Sequence, residues 1–374
     1  MAPGGYLFGQ IPGGLGSLCL KTKFLGCGAK NGLNYVTKGF GGCLEMRIAI
    51  VGCGLIGEKR ARVLGSHKLV AAADPNIQRA EHVGKLAKDV MVTTDWQQAA
   101  SLPEVDLVIV ATTNNWLTPV SLYALEQGKH VLVEKPGARS AEEIQALVKK
   151  AALSECKVKV GFNLRYHPAL LKAKAILDSG ALGELMFVRG RYGHGGRVGY
   201  DREWRADPKI AGGGELLDQG VHLIDLSRWF LGEFLSIEGF VETYFWDMPV
   251  EDNGFVALRT KTGQTAWLHV SCSEWKNTFC FEIYGKAGKL QVDGIGGSYG
   301  VERLTYYKML PEMGPPETTI WEFPGEDRSW KNEFDAFIQA ITGGQDVCGD
   351  LNDAYQALKV VDKIYGGKYN DYYP

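Results

Sequence analysis

A chain of 374 residues with 45% apolar residues, 22% charged residues and 14 Pro is long enough for two domains, and too ordinary in composition for a disordered or collagen-like protein. Its formal net charge of -2, from 41 basic and 43 acidic residues, supplies no field to hold a nucleic acid, and its apolar runs fall far short of a membrane span. Neither nucleic acid nor membrane is an expected partner. Eight cysteines lie scattered without a CxxC pair or a Cys/His cluster, so no metal site and no disulfide framework is expected, and a cytoplasmic protein fits best. Only glycine is in excess, with 48 residues.

Residues 1–45 hold 12 of those glycines, three of the cysteines and one acidic residue, Glu45, with neither helical nor strand periodicity. They lack the apolar core of a secretory signal and the arginines of a transit peptide. The expectation is a disordered or artefactual tail, with the fold starting near Met46. From there strands are expected at 48–51, 69–73, 105–110, 130–133 and 158–161, alternating with helices at 55–64, 78–87, 119–126 and 141–152. Short apolar strands separated by helices imply βαβ units, so residues 46–163 are expected to form an α/β Rossmann-type domain with a parallel sheet. Past 163 the pattern changes. Helices near 168–177 and 215–230 precede alternating runs at 240–246, 254–259, 265–271, 279–284 and 289–293, and helices at 330–341 and 352–365 close the chain. Residues 164–374 are therefore expected to form an α+β domain around a large, mostly antiparallel sheet with one open face.

Gly52-Cys53-Gly54-Leu55-Ile56-Gly57 is a GxGxxG directly after a strand and opening a helix. Its first glycine permits the tight turn, its second lets backbone approach a pyrophosphate, and its third lets helix and strand pack closely; the helix N-terminus then faces the anion. Asp74 ends the second strand, 22 residues after Gly52, where a carboxylate accepts from ribose hydroxyls and repels a 2′-phosphate. NAD is the expected cofactor, ahead of NADP. Asp74 could equally cap the helix that follows Pro75. Ligands of an open α/β sheet lie outside the carboxyl ends of its strands. That position holds Thr112, Thr113 and Asn114 after one strand, and Glu134, Lys135 and Pro136 after the next. Downstream, Gly212-Gly213-Gly214 leads into a helix on which Asp218, His222 and Asp225 are spaced i, i+4 and i+7. A carboxylate one turn from an imidazole can orient the ring and raise its pKa.

The two glycine motifs, the Glu134-Lys135-Pro136 segment, the run from Gly161 to Pro168 with Arg165 inside it, Trp204-Arg205 and the helix ending in His222 stand in the order of one family's signatures. From Met46 onward the chain resembles the glucose-fructose oxidoreductase / inositol 2-dehydrogenase / rhizopine catabolism (Gfo/Idh/MocA) family. The resemblance implies that Lys135 orients a substrate hydroxyl and assists its ionisation, that His222 takes its proton, and that Asp218 supports His222 and binds substrate. It implies a reversible NAD-dependent oxidation of a secondary hydroxyl on a sugar, inositol or sugar derivative, and a homodimer or homotetramer formed through the open sheet face. Arg165, Trp204, Arg205, Asp218 and His222 are the expected substrate contacts. Five arginines at 189, 191, 197, 202 and 205 could clamp an anionic substrate, or belong to a strand and a solvated loop. Two other readings are a glycoside hydrolase that oxidises transiently with NAD, and a non-catalytic dinucleotide-binding regulator. The chain departs from the family pattern at Thr113 and Leu117, where many members carry Pro and His.

Overall fold

The structure is a computed structural model that describes residues 45–366 together with Lys368 and Tyr369. Apart from Glu45, the segment expected as a tail lies outside the described residues. The first sheet is built by β1 (Arg47–Val51), α1 (Leu55–Arg62), β2 (Lys68–Ala73), α2 (Ile77–Gly84), β3 (Met91–Thr93), α3 (Trp96–Ser101), β4 (Leu107–Val110), α4 (Asn114–Glu126), β5 (His130–Val133), α5 (Ala141–Ala152) and β6 (Val158–Val160). Its six strands are parallel, in the order β3-β2-β1-β4-β5-β6. Ile48, Ile50, Leu107, Ile109 and Leu132 are wholly buried, as are Ala49, Val108 and Val131, so both faces of the sheet are covered and the strands show no polar alternation. Strand order reverses between β1 and β4, and that reversal opens the crevice where such sheets take ligands.

The second sheet follows α6 (Pro168–Asp178) and has eight strands: β7 (Leu185–Gly193), β8 (Phe234–Glu242), β9 (Asn253–Thr260), β10 (Thr265–Ser271), β11 (Thr278–Gly285), β12 (Gly288–Asp293), β13 (Glu302–Lys308) and β14 (Glu317–Phe323). The order is β14-β13-β12-β11-β7-β10-β9-β8, antiparallel except for the β7/β10 pair. Between β7 and β8 lie the short α7 (Pro208–Ala211), a π-helical turn at Leu216–Gly220 and α8 (Val221–Leu231). Among the described residues no helix is long and apolar enough to cross a membrane.

Several elements differ from expectation for local reasons. β8 ends earlier than the 240–246 run because the Asp252 carboxylate gathers the backbone N–H groups of Tyr244, Phe245 and Trp246 at 2.9, 2.7 and 3.0 Å and folds them out of the sheet. Arg189 and Arg191 stand on β7, at the centre of the sheet, which leaves the arginine cluster split between strand and loop. α4 starts five residues before Pro119 and accommodates the proline internally. The open sheet face is mixed rather than apolar. Phe187, Phe240, Trp267 and Ile320 are exposed on it beside the Arg189–Glu282, Lys289–Glu282 and Arg303–Glu322 ion pairs.

The two closing helices return to the first sheet. In α9 (Ser329–Gly343), Phe334, Phe337 and Ile338 share a cluster with Ile48, Ile50, Leu107 and Leu132. Helix α10 (Leu351–Tyr365) packs between α5 and α8.

Candidate active site

The glycine turn is shaped by protein on two sides and left open on the third. Gly52 has φ +91°, and a Cβ there would meet the Ala111 carbonyl at 2.4 Å. A Cβ on Gly57 would stand 2.0 Å from the Gly52 carbonyl, so helix α1 can approach the turn only without a side chain. Gly54 has nothing within 4 Å of its Cβ position, and as N-cap of α1 it offers no side chain to that helix. Open space and uncapped amides at the same corner are what a pyrophosphate requires. Asp74, 6% exposed, accepts from Cys53 N–H and Asn76 N–H, both at 2.8 Å, one bond on each oxygen. A carboxylate oxygen has a second lone pair, so both remain able to accept from ribose hydroxyls. The helix-capping alternative for Asp74 does not hold, since Asn76 is the N-cap of α2 and accepts from Gln78 N–H. These residues fit NAD.

Beside this turn, at the carboxyl ends of the first sheet's strands, lies a cavity of about 390 Å³. Ile56, Thr112, Asn114, Glu134 and Lys135 reach it from the first sheet, and Trp204, Arg205, Asp218 and His222 reach it from the second half. Lys135 closes the gap between the two. Following the buried end of β5 and preceding a cis peptide to Pro136, it donates from Nζ to the Asp218 carbonyl at 2.6 Å and to Asp218 Oδ1. Arg205 Nε donates to Asp218 Oδ2 at 3.3 Å, and its guanidinium lies 4.5 Å over the Trp204 ring. Burial opposes ionisation of Asp218, but the charges of Lys135 and Arg205 outweigh it and hold the carboxyl well below the usual carboxylate range.

Asp218 and His222 line the same cavity without forming the expected helix pair. The π-turn at 216–220 takes Asp218 off α-helical register, and both of its oxygens are engaged by Lys135 and Arg205. Burial, then the Lys135 charge, push the His222 imidazole well below its ordinary value against the pull of Asp218, the reverse of the shift expected from the spacing. The ring is neutral at pH 7. His222 Nδ1 has no hydrogen-bond partner among the described residues.

Arg165 is a correction. It is 3% exposed, donates to Asp225 Oδ2 and Oδ1 at 2.7 and 2.6 Å, pairs with Asp353 at 3.1 Å, and does not line the cavity. Asp225, placed by spacing on the face of His222, serves this buried pair instead. Of the five arginines between 189 and 205 only Arg205 reaches the cavity. Glu134 touches it, but its carboxylate is held by Arg60, whose Nε donates to Oε1 at 2.7 Å. Asn114 Nδ2 donates to the Ala211 carbonyl at 2.8 Å and so ties α4 to α7, while Thr113 N-caps α4 and bonds Asn115.

The cavity also holds residues that spacing did not mark. His167 lies in the run from Gly161 to Pro168, Tyr192 on β7, residues 296–299 in the connection between β12 and β13, Trp330 in the first turn of α9 and Asp327 just before it. They are drawn in by the second sheet and by the return of α9, which no local pattern encodes. Among the described residues no group of His, Cys, Asp or Glu is placed to hold a metal ion.

Residues 46–162 match the family model described as "Oxidoreductase family, NAD-binding Rossmann fold", and residues 170–291 match the "GFO/IDH/MocA C-terminal domain". The chain belongs to the GFO/IDH/MocA family. As a member it is an NAD-binding oxidoreductase. It is similar to levoglucosan dehydrogenase of Pseudarthrobacter phenanthrenivorans, 32% identical over 213 residues, a match that spans about half of each chain (54% of this one, 52% of that one). Inositol 2-dehydrogenase of Rhizobium meliloti is 25% identical over 333 residues, covering 85% of this chain and 96% of the relative. A solved levoglucosan dehydrogenase in complex with NADH and levoglucosan superposes with TM-score 0.77 at 22% identity, covering 88% of this chain and 98% of that one, which is a likeness of fold.

Two glycine substitutions separate cofactor contact from packing in this family member. Gly54→Ala meets no protein atom, so the apo thermal midpoint is expected within about 2 °C of wild type while NAD affinity falls about tenfold or more. Gly57→Ala is expected to lower the midpoint itself. Calorimetry with and without NAD reads both, and undiminished NAD affinity in Gly54→Ala would contradict the placement of the pyrophosphate.

Proposed function

We propose that this oxidoreductase is a dehydrogenase that reversibly oxidises a secondary hydroxyl of a sugar, inositol or sugar derivative, with Lys135, His222 and Asp218 as its acid-base set. The observation that carries the reading is the meeting of Lys135, Asp218, Arg205 and His222 around one cavity beside the glycine turn. The relatives named levoglucosan dehydrogenase and inositol 2-dehydrogenase support a polyol substrate.

Bound NAD supplies the hydride acceptor. The rest falls to the protein. An ammonium group has three N–H donors, and Lys135 commits two of them to Asp218. The third is left for the substrate oxygen, where it stabilises the negative charge that develops as the hydroxyl loses its proton. Neutral His222 accepts that proton. Asp218, fixed on its other side by Arg205, holds the ammonium in place, a role directed at Lys135 rather than at the imidazole. Trp204 offers an apolar ring for a sugar face, and Arg205 a donor for its hydroxyls. The glycoside hydrolase and regulator readings gain no specific observation.

The open face of the second sheet is the surface through which we expect two or four copies to associate, since Trp267 and Phe240 are 58% and 54% exposed there. Trp267→Glu should then sediment as a smaller species than wild type, and an unchanged size would contradict this interface. We place the protein in a reducing, cytoplasmic setting, in keeping with cysteines scattered through the sequence without paired spacing.

Screening sugars, inositols, uronates and nucleotide sugars with NAD should reveal a substrate whose oxidation accumulates NADH. With that substrate, kcat/KM should keep its value as pH falls through the ordinary imidazole pKa of about 6.5, because His222 stays neutral to lower pH. His222→Asn should lower the rate about 100-fold and abolish the acid limb. An acid limb that persists in His222→Asn would remove His222 from the role of base.

A further inference from the structure

What surrounds the glycine run at 212–214 is protein. A Cβ on Gly213 would stand 2.2 Å from the Tyr365 hydroxyl, and one on Gly214 would stand 2.0 Å from the Glu251 carbonyl oxygen. Both distances are far inside van der Waals contact, so these two glycines are required to admit Tyr365, the last residue of α10, and Glu251, just before β9.

Glu251 is wholly buried and its carboxylate is fully used. Oε2 accepts from Gly214 N–H at 3.0 Å and from the Tyr369 hydroxyl at 2.7 Å. Oε1 accepts from Leu216 N–H at 3.0 Å and from the Tyr365 hydroxyl at 2.7 Å. The Glu251 main chain joins in, its carbonyl accepting from Glu215 N–H at 3.0 Å and its N–H donating to the Tyr369 oxygen at 3.2 Å. One residue thus satisfies the start of the helix that carries Asp218, where three consecutive amides would otherwise be left without partners. Asp218 N–H in turn donates to the Gly214 carbonyl at 3.0 Å.

A continuous path of hydrogen bonds therefore runs from Tyr365 and Tyr369 to Glu251, from Glu251 to Gly214 and Leu216, and through the 214–218 turn to Asp218 and the Lys135 ammonium. We infer that Tyr365 and Tyr369 are positioning residues of the active site, acting through Glu251 to set where Asp218 holds Lys135. The inference rests on the role proposed for Lys135, and it assigns to the segment at and beyond the end of α10 a part in the reaction although neither tyrosine lines the cavity. The physical reason is rigidity. A buried carboxylate with four donors keeps one place, whereas one stripped of two donors is under-solvated and moves or takes up a proton, and the turn bonded to it follows.

Tyr365→Phe, Tyr369→Phe and the double variant of the full chain test this, with Glu251→Gln as a further variant that keeps the side chain's shape. The first readout needs no substrate: the rate at which trinitrobenzenesulfonate labels Lys135, followed by peptide mass spectrometry. A lysine whose amino group is no longer held by two hydrogen bonds is freer to reach the reagent, so labelling of Lys135 should rise about fivefold or more in the double variant, with Lys68 and Lys286 unchanged. The second readout is turnover, where kcat should fall about tenfold in each single variant while the KM for NAD stays within about twofold. If the thermal midpoint drops but Lys135 labelling and kcat do not move, the tyrosines only stabilise the fold and the inference is overturned. If wild-type protein oxidises no polyol, the dehydrogenase reading falls, and the labelling experiment by itself still decides whether the tyrosines govern Lys135.

Discussion

Lys135 and Asp218 come from opposite halves of the molecule, and their ion pair is where the two halves become one site. Lys135 is delivered by the end of a buried parallel strand, whose position is set by sheet hydrogen bonds on both sides. Asp218 is delivered by a π-turn that packs against β9 and β10 of the second sheet. Neither charge could be left alone at this depth, since a desolvated carboxylate or ammonium without its partner costs several kcal/mol. The pair therefore imposes a condition on everything around it: strand, turn and cavity must arrive in register, or two charges are stranded.

That condition explains the number of buried charges behind the cavity. Arg60 on α1 pairs with Glu134 at 2.6 Å and with Glu333 on α9 at 2.8 Å, and Lys159 on β6 lies 3.7 Å from Glu333. A Cβ on Gly161, the residue after β6, would meet the Arg60 guanidinium at 2.9 Å and the Glu134 carboxylate at 3.0 Å, so glycine there leaves room for the pair. Arg165, Asp225, Arg228 and Asp353 form a second group that ties α8 to the start of α10. Such networks add little net stability over apolar packing, but they penalise any displaced helix, because one shift leaves a charge without its partner. They lock α1, α9 and α10 around the site, and the glycine turn inherits the rigidity.

How much of this could be read from the residues depends on how local the determining contacts are. β5 and α5 were expected with the bounds they have, because an apolar run between turn signals and a Ser140 cap with Glu142 and Glu143 in the first turn are local facts. β3 and α3 escaped notice: three half-exposed residues carry no periodicity, and α3 is six residues opened by the Asp95 cap. The structure brings Lys135, Asp218 and His222 to one cavity, but not in the geometry that their spacing implied. Their i, i+4 spacing suggested a carboxylate and imidazole pair, whereas the π-turn and the lysine across the cavity redirected the carboxylate. Arg165 was expected as a substrate contact from its place in the run from Gly161 to Pro168, whereas the partners that hold it lie 60 and 188 residues away. Glu251 gave no signal at all, since what it caps is set by β9 and the end of α10, not by its neighbours in the chain. The glycine excess divides along the same line. Gly54 is open to a ligand, Gly213 and Gly214 are closed on by protein, and the count of 48 distinguishes neither.

A double-mutant cycle on kcat/KM across Lys135→Met, Asp218→Asn and their combination tests the central claim most directly. If Asp218 acts by holding Lys135, each single change lowers kcat/KM, and the double variant is no slower than Lys135→Met alone, because a carboxylate without its lysine has nothing left to place. Losses that multiply in the double variant would mean that the two residues act independently, and would contradict the account.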